Sequence, residues 1–128
     1  MIKNRPTIVC LCGSTRFGKE FAEANLAETL AGNIVLTIGC SMRSDAELFL
    51  SSTPEAVKQI KDDLDELHKR KIDIADEVYI LNVNGYIGES TLGELIYALQ
   101  KKKFVRWLEP QRALSFKQIN SMVKAGIV

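Results

Sequence analysis

The chain has 128 residues, 46% of them hydrophobic and 26% charged, which are the proportions of one globular domain and not of a multidomain machine. A chain this long buries something like two thirds of its unfolded surface, so its core needs no metal or disulfide staple. Seventeen Lys and Arg against 16 Asp and Glu leave a formal net charge of +1. That balance argues against a nucleic-acid polymer as partner, because such partners are gripped through concentrated positive charge.

No apolar stretch approaches the roughly 20 residues that span a bilayer, and MIKNRPTIVC runs into a strand-like segment without a signal-peptide core. The expectation is a cytoplasmic protein with no membrane contact. Thr7 to Cys12 is β-branched and apolar on both alternations, the pattern of a strand buried on both faces of a parallel sheet. It ends in Gly13-Ser14-Thr15, after which Phe17, Phe21, Ala24, Leu26, Ala27 and Leu30 take helical spacing, stopped by Gly32-Asn33. Ile34 to Ile38 reads as a second short strand closed by Gly39.

Residues 40 to 52 have no clear period and carry Arg43, Asp45 and Glu47, so they read as a functional loop or short helical excursion. Thr53-Pro54 is an N-cap followed by proline at the first helical position. Val57, Ile60, Leu64, Leu67 and Ile74 mark the apolar stripe of the helix that follows. Running to Ala75, it would be about 33 Å long and would overhang strands of about 17 Å, making a pocket wall or a dimer contact. Val78 to Val83 is a third buried strand, and Thr91 to Gln100 a helix whose end carries Lys101, Lys102 and Lys103, suited to the negative end of its dipole. Phe104 to Leu108 is a fourth strand, with Trp107 expected in the core, and Ser115 caps a last helix stopped by Gly126.

Strands alternating with helices predict a three-layer α/β fold: one parallel sheet of four to five strands with helices on both faces. Ligands bind such sheets outside the carboxyl ends of the strands, where the strand order reverses. The Gly13 turn, the loop after Gly39 and the loop from Gly85 to Ser90 then converge on one crevice.

Two constellations at that edge can carry chemistry. In Gly13-Ser14-Thr15-Arg16 a strand meets a helix N-terminus, where free amides and donor side chains suit a phosphate. Equally, Ser14 or Thr15 caps the helix and Gly13 relieves a tight turn. The turn is neither a P-loop nor a dinucleotide fingerprint. In Gly88-Glu89-Ser90-Thr91-x-x-Glu94, Thr91 and Glu94 have capping-box spacing, but Glu94 also falls in a first helical turn where the dipole favours an ionised carboxylate. With Glu89 as a second acid, this is the paired-carboxylate equipment of glycosidic cleavage. Tyr86 either stacks on a base or pins its loop, and Asn82 points to the pocket or to its own turn. Cys10-x-Cys12, with no second cysteine or histidine pair nearby, is weak evidence for zinc and reads as two small buried hydrophobes.

The order of Val9-Cys10-Leu11-Cys12-Gly13-Ser14-Thr15-Arg16, Ala75-Asp76-Glu77-Val78 and Gly88-x-x-x-x-Gly93-Glu94-Leu95-x-x-Ala98-Leu99 resembles the nucleoside 2-deoxyribosyltransferase superfamily. Its first turn is most similar to that of the 2'-deoxynucleoside 5'-phosphate N-hydrolases, and the likeness spans about residues 7 to 109. The Thr91-x-x-Glu94 element is similar, too, to the Gly-x-Gly-Thr-x-x-Glu loop of the nucleoside monophosphate phosphoribohydrolases that release cytokinin bases. The resemblance implies a flavodoxin-like, Rossmann-like sheet and a homodimer with shared active sites. It also implies N-glycosidic cleavage of a small nucleotide or nucleoside by a glutamate nucleophile at Glu94, with Gly13, Ser14 and Arg16 holding a 5'-phosphate and no cofactor or metal required.

Two positions depart from that family: Cys10 stands where it has a tyrosine, and His68 where it has an aspartate. A histidine can serve as acid or base near neutrality, and eight helical residues place His68 about 12 Å from Asp76 toward the ligand edge. The charged residues around His68 make a solvated helix flank the ordinary expectation for it. The candidate set is therefore Glu94, Glu89 and His68 for catalysis, with Gly13, Ser14, Thr15, Arg16, Asn82, Tyr86, Gly88 and Ser90 for binding. A nucleotide-binding module that does not cleave its ligand is the rival from another class.

Overall fold

The computed structural model describes residues 4–39, 52–110 and 115–127. Four parallel strands are laid in the order β2-β1-β3-β4, with β1 at Ile8–Cys12, β2 at Ile34–Leu36, β3 at Glu77–Ile80 and β4 at Phe104–Trp107. The register aligns Cys10 with Leu36 on one side and Val78 on the other, and Cys12 with Ile80. From β1 the chain steps one way to β2 and then crosses to β3 on the opposite side, so the order reverses between β1 and β3. There the carboxyl ends leave a crevice.

Strand alternation sorts the core into two layers. Val9, Leu11 and Leu81 face α1 (Gly18–Leu30) and bury its Phe21 and Ala24. Cys10, Cys12, Val78 and Ile80 face the other way, under α2 (Pro54–Ile74), α3 (Glu89–Gln100) and α4 (Phe116–Lys124), which bury Ile72, Leu92, Leu95, Ala98 and Met122 there. The expected three-layer, flavodoxin-like α/β arrangement is thus the observed one. Trp107 is half-buried and packs against the second layer. Among the described residues, no helix is long and apolar enough to cross a membrane.

Local signals account for most boundaries. Thr53 accepts from the Ala56 amide at 3.1 Å and starts α2 with Pro54 at its first position. Ser115 and Gln118 form a full capping box at α4. Gly32 ends α1 at φ 89°, a left-handed conformation that glycine adopts without strain. The Lys103 amide closes the end of α3 on the Ala98 carbonyl at 2.9 Å, while its ammonium donates to the carbonyls of Asp73 and Ala75 at the end of α2, both at 2.9 Å.

Three expectations are corrected. The apolar stripe of α2 is turned outward: Ile60, Leu64, Leu67 and Ile74 are 38, 55, 50 and 60% exposed, while the helix buries His68 and Ile72. The helix axis is set by the second layer of the sheet, and positions 68, 72 and 75 form the face that reaches it. On α1, similarly, Leu26 and Leu30 face outward. The third strand stops at Ile80, because the chain turns at Asn82 into a 3-10 turn over Val83–Gly85.

Asn82 points neither into a pocket nor at its own turn. Its buried amide donates to the Glu109 carbonyl at 3.1 Å and accepts from the Glu109 amide at 3.0 Å, tying the chain after β3 to the chain after β4. Asn82→Ala removes both bonds from a site that is 1% exposed and leaves two backbone groups without partners. A loss of about 1–3 kcal/mol of stability is expected, measured by urea denaturation.

Candidate active site

His68 is the centre of the site. It is 3% exposed, and its Nε2 lies 3.2 Å from Cys12 Sγ, 3.6 Å from Cys10 Sγ and 3.9 Å from Glu94 Oε2. Each partner arrives for a local reason. Cys10 and Cys12 are two apart on β1, so both sulfurs stand on the α2/α3 face of the sheet. His68 leads the buried face of α2, and Glu94 lies on the buried face of α3 with Thr91, Leu95 and Ala98. The expectation of a solvated flank for His68 is overturned: the burial pattern, not the charged neighbours, fixes its side. Asp76 meanwhile sits at the opposite end of β1, where it accepts from the Ile8 amide at 2.8 Å and pairs with Arg5 at 2.7 Å. The displacement of His68 toward the carboxyl edge is therefore real.

Glu94 is no capping residue. The helix begins two residues earlier than expected, at Glu89, with Gly88 as an N-cap lacking a side-chain bond, so Thr91 is inside the helix and Glu94 is in its second turn. Burial, not a helix dipole, governs its charge: it pushes the carboxyl up to about 7, while His68 pulls the other way. The other groups share that compact field. A hydrogen bond with Cys12 is the largest influence drawing the Cys10 thiol down to about 6, and the same bond together with burial drives Cys12 upward. Burial works to lower His68, but the hydrogen bond to Cys10 and the charge of Glu94 outweigh it, so the imidazole is held above its ordinary value. Its Nδ1 is buried and has no partner.

The other candidates fall elsewhere. Glu89 stands at the surface and pairs with Lys117 at 3.0 Å. Ser14 caps the short turn Thr15–Phe17, its Oγ accepting from the Arg16 amide at 3.3 Å. Gly13 permits a close approach of chains: a Cβ there would meet Leu81 at 3.2 Å and Phe21 at 3.3 Å. Thr15 and Arg16 are exposed, and the Arg16 guanidinium lies 4.4 Å over the Tyr86 ring, with Phe17 set edge-on to that ring. Tyr86 thereby pins the Gly85 loop against the first turn, and the loop's Gly88 lies where a Cβ would meet the Tyr86 hydroxyl at 3.0 Å.

A groove of about 590 Å³ runs along the first turns of α2, lined by Pro54, Val57, Lys58, Lys61, Asp65 and Ser90 among others. The overhang of α2 is thus a pocket wall. Asp65 and Ser90 are each about one helical turn from His68 and Glu94, which themselves are buried and do not line the groove. A smaller hollow of about 270 Å³ lies between Tyr86, Leu92 and the start of α4, with Gly88 and Glu89 on its rim. Gly13, Ser14, Thr15 and Arg16 line neither. Arg43, Asp45 and Glu47 lie outside the described residues.

Sequence reading missed Cys10 and Cys12 as members of the site. Their alternation on a strand leading to the Gly13 turn was a usable signal, but His68 is 56 residues from Cys12 and only the fold unites them. Comparison with protein-family models, curated proteins and solved structures yields no match. The function must be argued from the site itself.

The raised Glu94 has a consequence for stability. Its folded-state value of about 7 exceeds its ordinary 4.5, so the folded protein holds a proton that the unfolded chain releases, and Glu94 opposes folding increasingly as pH rises from 4.5 through about 7. Glu94→Gln is expected to stabilise the fold at pH 8 by on the order of 2 kcal/mol, and by much less at pH 5, in urea denaturation at the two pH values.

Proposed function

We propose that this protein cleaves the N-glycosidic bond of a small nucleotide, with Glu94 as the nucleophile or charge stabiliser. The observation that carries this reading is the pairing of Glu94 with His68, 3.9 Å apart, brought from two helices to the carboxyl end of β1. The resemblance to the nucleoside 2-deoxyribosyltransferases adds to it through the position of Glu94.

In this reading the ionised carboxylate attacks the anomeric carbon or stabilises its developing positive charge, and the bonding electrons of the C–N bond leave with the base. His68, not Glu89, handles protons, since it is the titratable imidazole against Glu94. Its charged form favours ionised Glu94 for attack, and its neutral form can take a proton from the water, or from the incoming base, that completes turnover. Ser14, Thr15 and Arg16 serve a 5'-phosphate from the neighbouring turn, whose contact with Tyr86 joins two edges of the crevice. A nucleotide-binding module without turnover is the second reading, favoured by the 8% exposure of Glu94.

A panel of ribo- and deoxyribonucleotides, analysed by chromatography for free base, separates the two. Release by wild type and a loss of at least about 1,000-fold in Glu94→Gln is expected; ligand-dependent thermal stabilisation without any base released would establish the binding module. Because the ionised carboxylate is the active form, the rate is expected to rise with pH through about 7. His68→Gln, which removes the charge that holds Glu94 down, shifts that midpoint upward.

Assembly as a homodimer belongs to the same proposal. Ile60, Leu64 and Leu67 form an outward apolar seam on the overhanging helix that walls the groove. Light scattering is expected to give twice the 14.3 kDa chain mass, and Leu64→Glu with Leu67→Glu to return the monomer.

A further inference from the structure

We propose that Cys10, Cys12 and His68 form a binding site for one thiophilic divalent cation of the zinc type, with Glu94 within reach as a fourth ligand. The two sulfurs and Nε2 all lie within 4.8 Å of one another, and all three residues are buried. A tetrahedral ion with bonds of about 2.3 Å to sulfur and about 2.0–2.1 Å to nitrogen sets its sulfur and nitrogen ligands about 3.6 Å apart. Nε2 stands 3.2 and 3.6 Å from the two sulfurs, so both sulfur–nitrogen edges lie within about 0.4 Å of what the ion requires. The Glu94 carboxylate, 3.9 Å from Nε2, is the oxygen donor available to complete the set.

The donor set is selective. Two thiolates and an imidazole suit zinc and disfavour magnesium or calcium, which take oxygen ligands. A proton on Nδ1, the ring nitrogen without a partner, leaves the Nε2 lone pair directed at the sulfurs, which is the ligating tautomer. Both cysteines bind as thiolates, so uptake of the ion releases the thiol protons to solvent. Coordination goes beyond the glycosidase reading and stands without it. One consequence does rest on that reading: a bound ion takes up the Nε2 lone pair of His68 and the carboxylate of Glu94, so the metal-loaded form is inactive toward nucleotides.

Cobalt(II) is the probe. Titration of the reduced, full-length protein under argon is expected to give one Co²⁺ per chain, with the visible absorption of a four-coordinate ion and a sulfur-to-metal charge-transfer band in the near ultraviolet. Equimolar Zn²⁺ should abolish both. Cys12→Ser and His68→Gln are expected to weaken binding by at least about 100-fold, whereas Cys40→Ser, which removes the remaining cysteine, should leave it unchanged. Absence of the bands in folded wild type overturns the proposal, as does their persistence in Cys12→Ser or their loss in Cys40→Ser. These readouts are independent of base release, so failure of the metal site and failure of the glycosidase reading are told apart.

Discussion

The contact of His68 with the two sulfurs of β1 is the constraint on which the rest of this site depends. A histidine that is 3% exposed must find its partners inside the protein, and the partners available are Cys10 and Cys12. Fixing His68 there fixes the rotation of α2 about its axis. The same rotation buries Ile72 and turns Ile60, Leu64 and Leu67 outward. A polar contact and the second layer of the sheet thus together select the face of a long helix that belongs to the core.

The same contact couples four titratable groups in a volume from which water is excluded. Burial opposes charge on Glu94, the imidazolium favours it, and the proton between Cys10 and Cys12 stays with Cys12. In such a field no single group changes charge alone. In the two proposals a proton and a metal ion make overlapping demands on Nε2, and proton chemistry on a sugar and coordination of a soft cation would be two uses of one arrangement of lone pairs.

Much of the scaffold was legible in the residues. Continuous apolar character from Val9 to Cys12 implies a strand covered on both faces, and it is. Thr53-Pro54, Ser115 and Gly32 bound their helices as local chemistry requires. The Gly13 turn and the Gly85 loop meet at one edge because parallel topology brings both to the carboxyl ends of their strands, and Arg16 touching Tyr86 is the physical trace of that meeting. The stripe on α2 was legible as a period but not as a direction, since periodicity shows that a helix has an apolar face without saying what covers it. Capping-box spacing at Thr91 and Glu94 misled for a related reason: the helix start depends on where Gly88 turns the chain, and Gly88 is placed by its fit against Tyr86.

Residue patterns alone indicate the class of fold, the strand at its centre, the edge at which parallel sheets of this class bind ligands, and Glu94 and His68 as candidates there. Those are consequences of alternation, helical spacing and turn chemistry, which act over a few residues. Long-range packing settles the rest: His68 turns inward, two apparent hydrophobes are its partners, and Glu89 and Asn82 belong to the surface and to a strand-end tie. Such decisions rest on contacts between residues tens of positions apart, where packing against a shared sheet, and not local preference, selects which side chains meet.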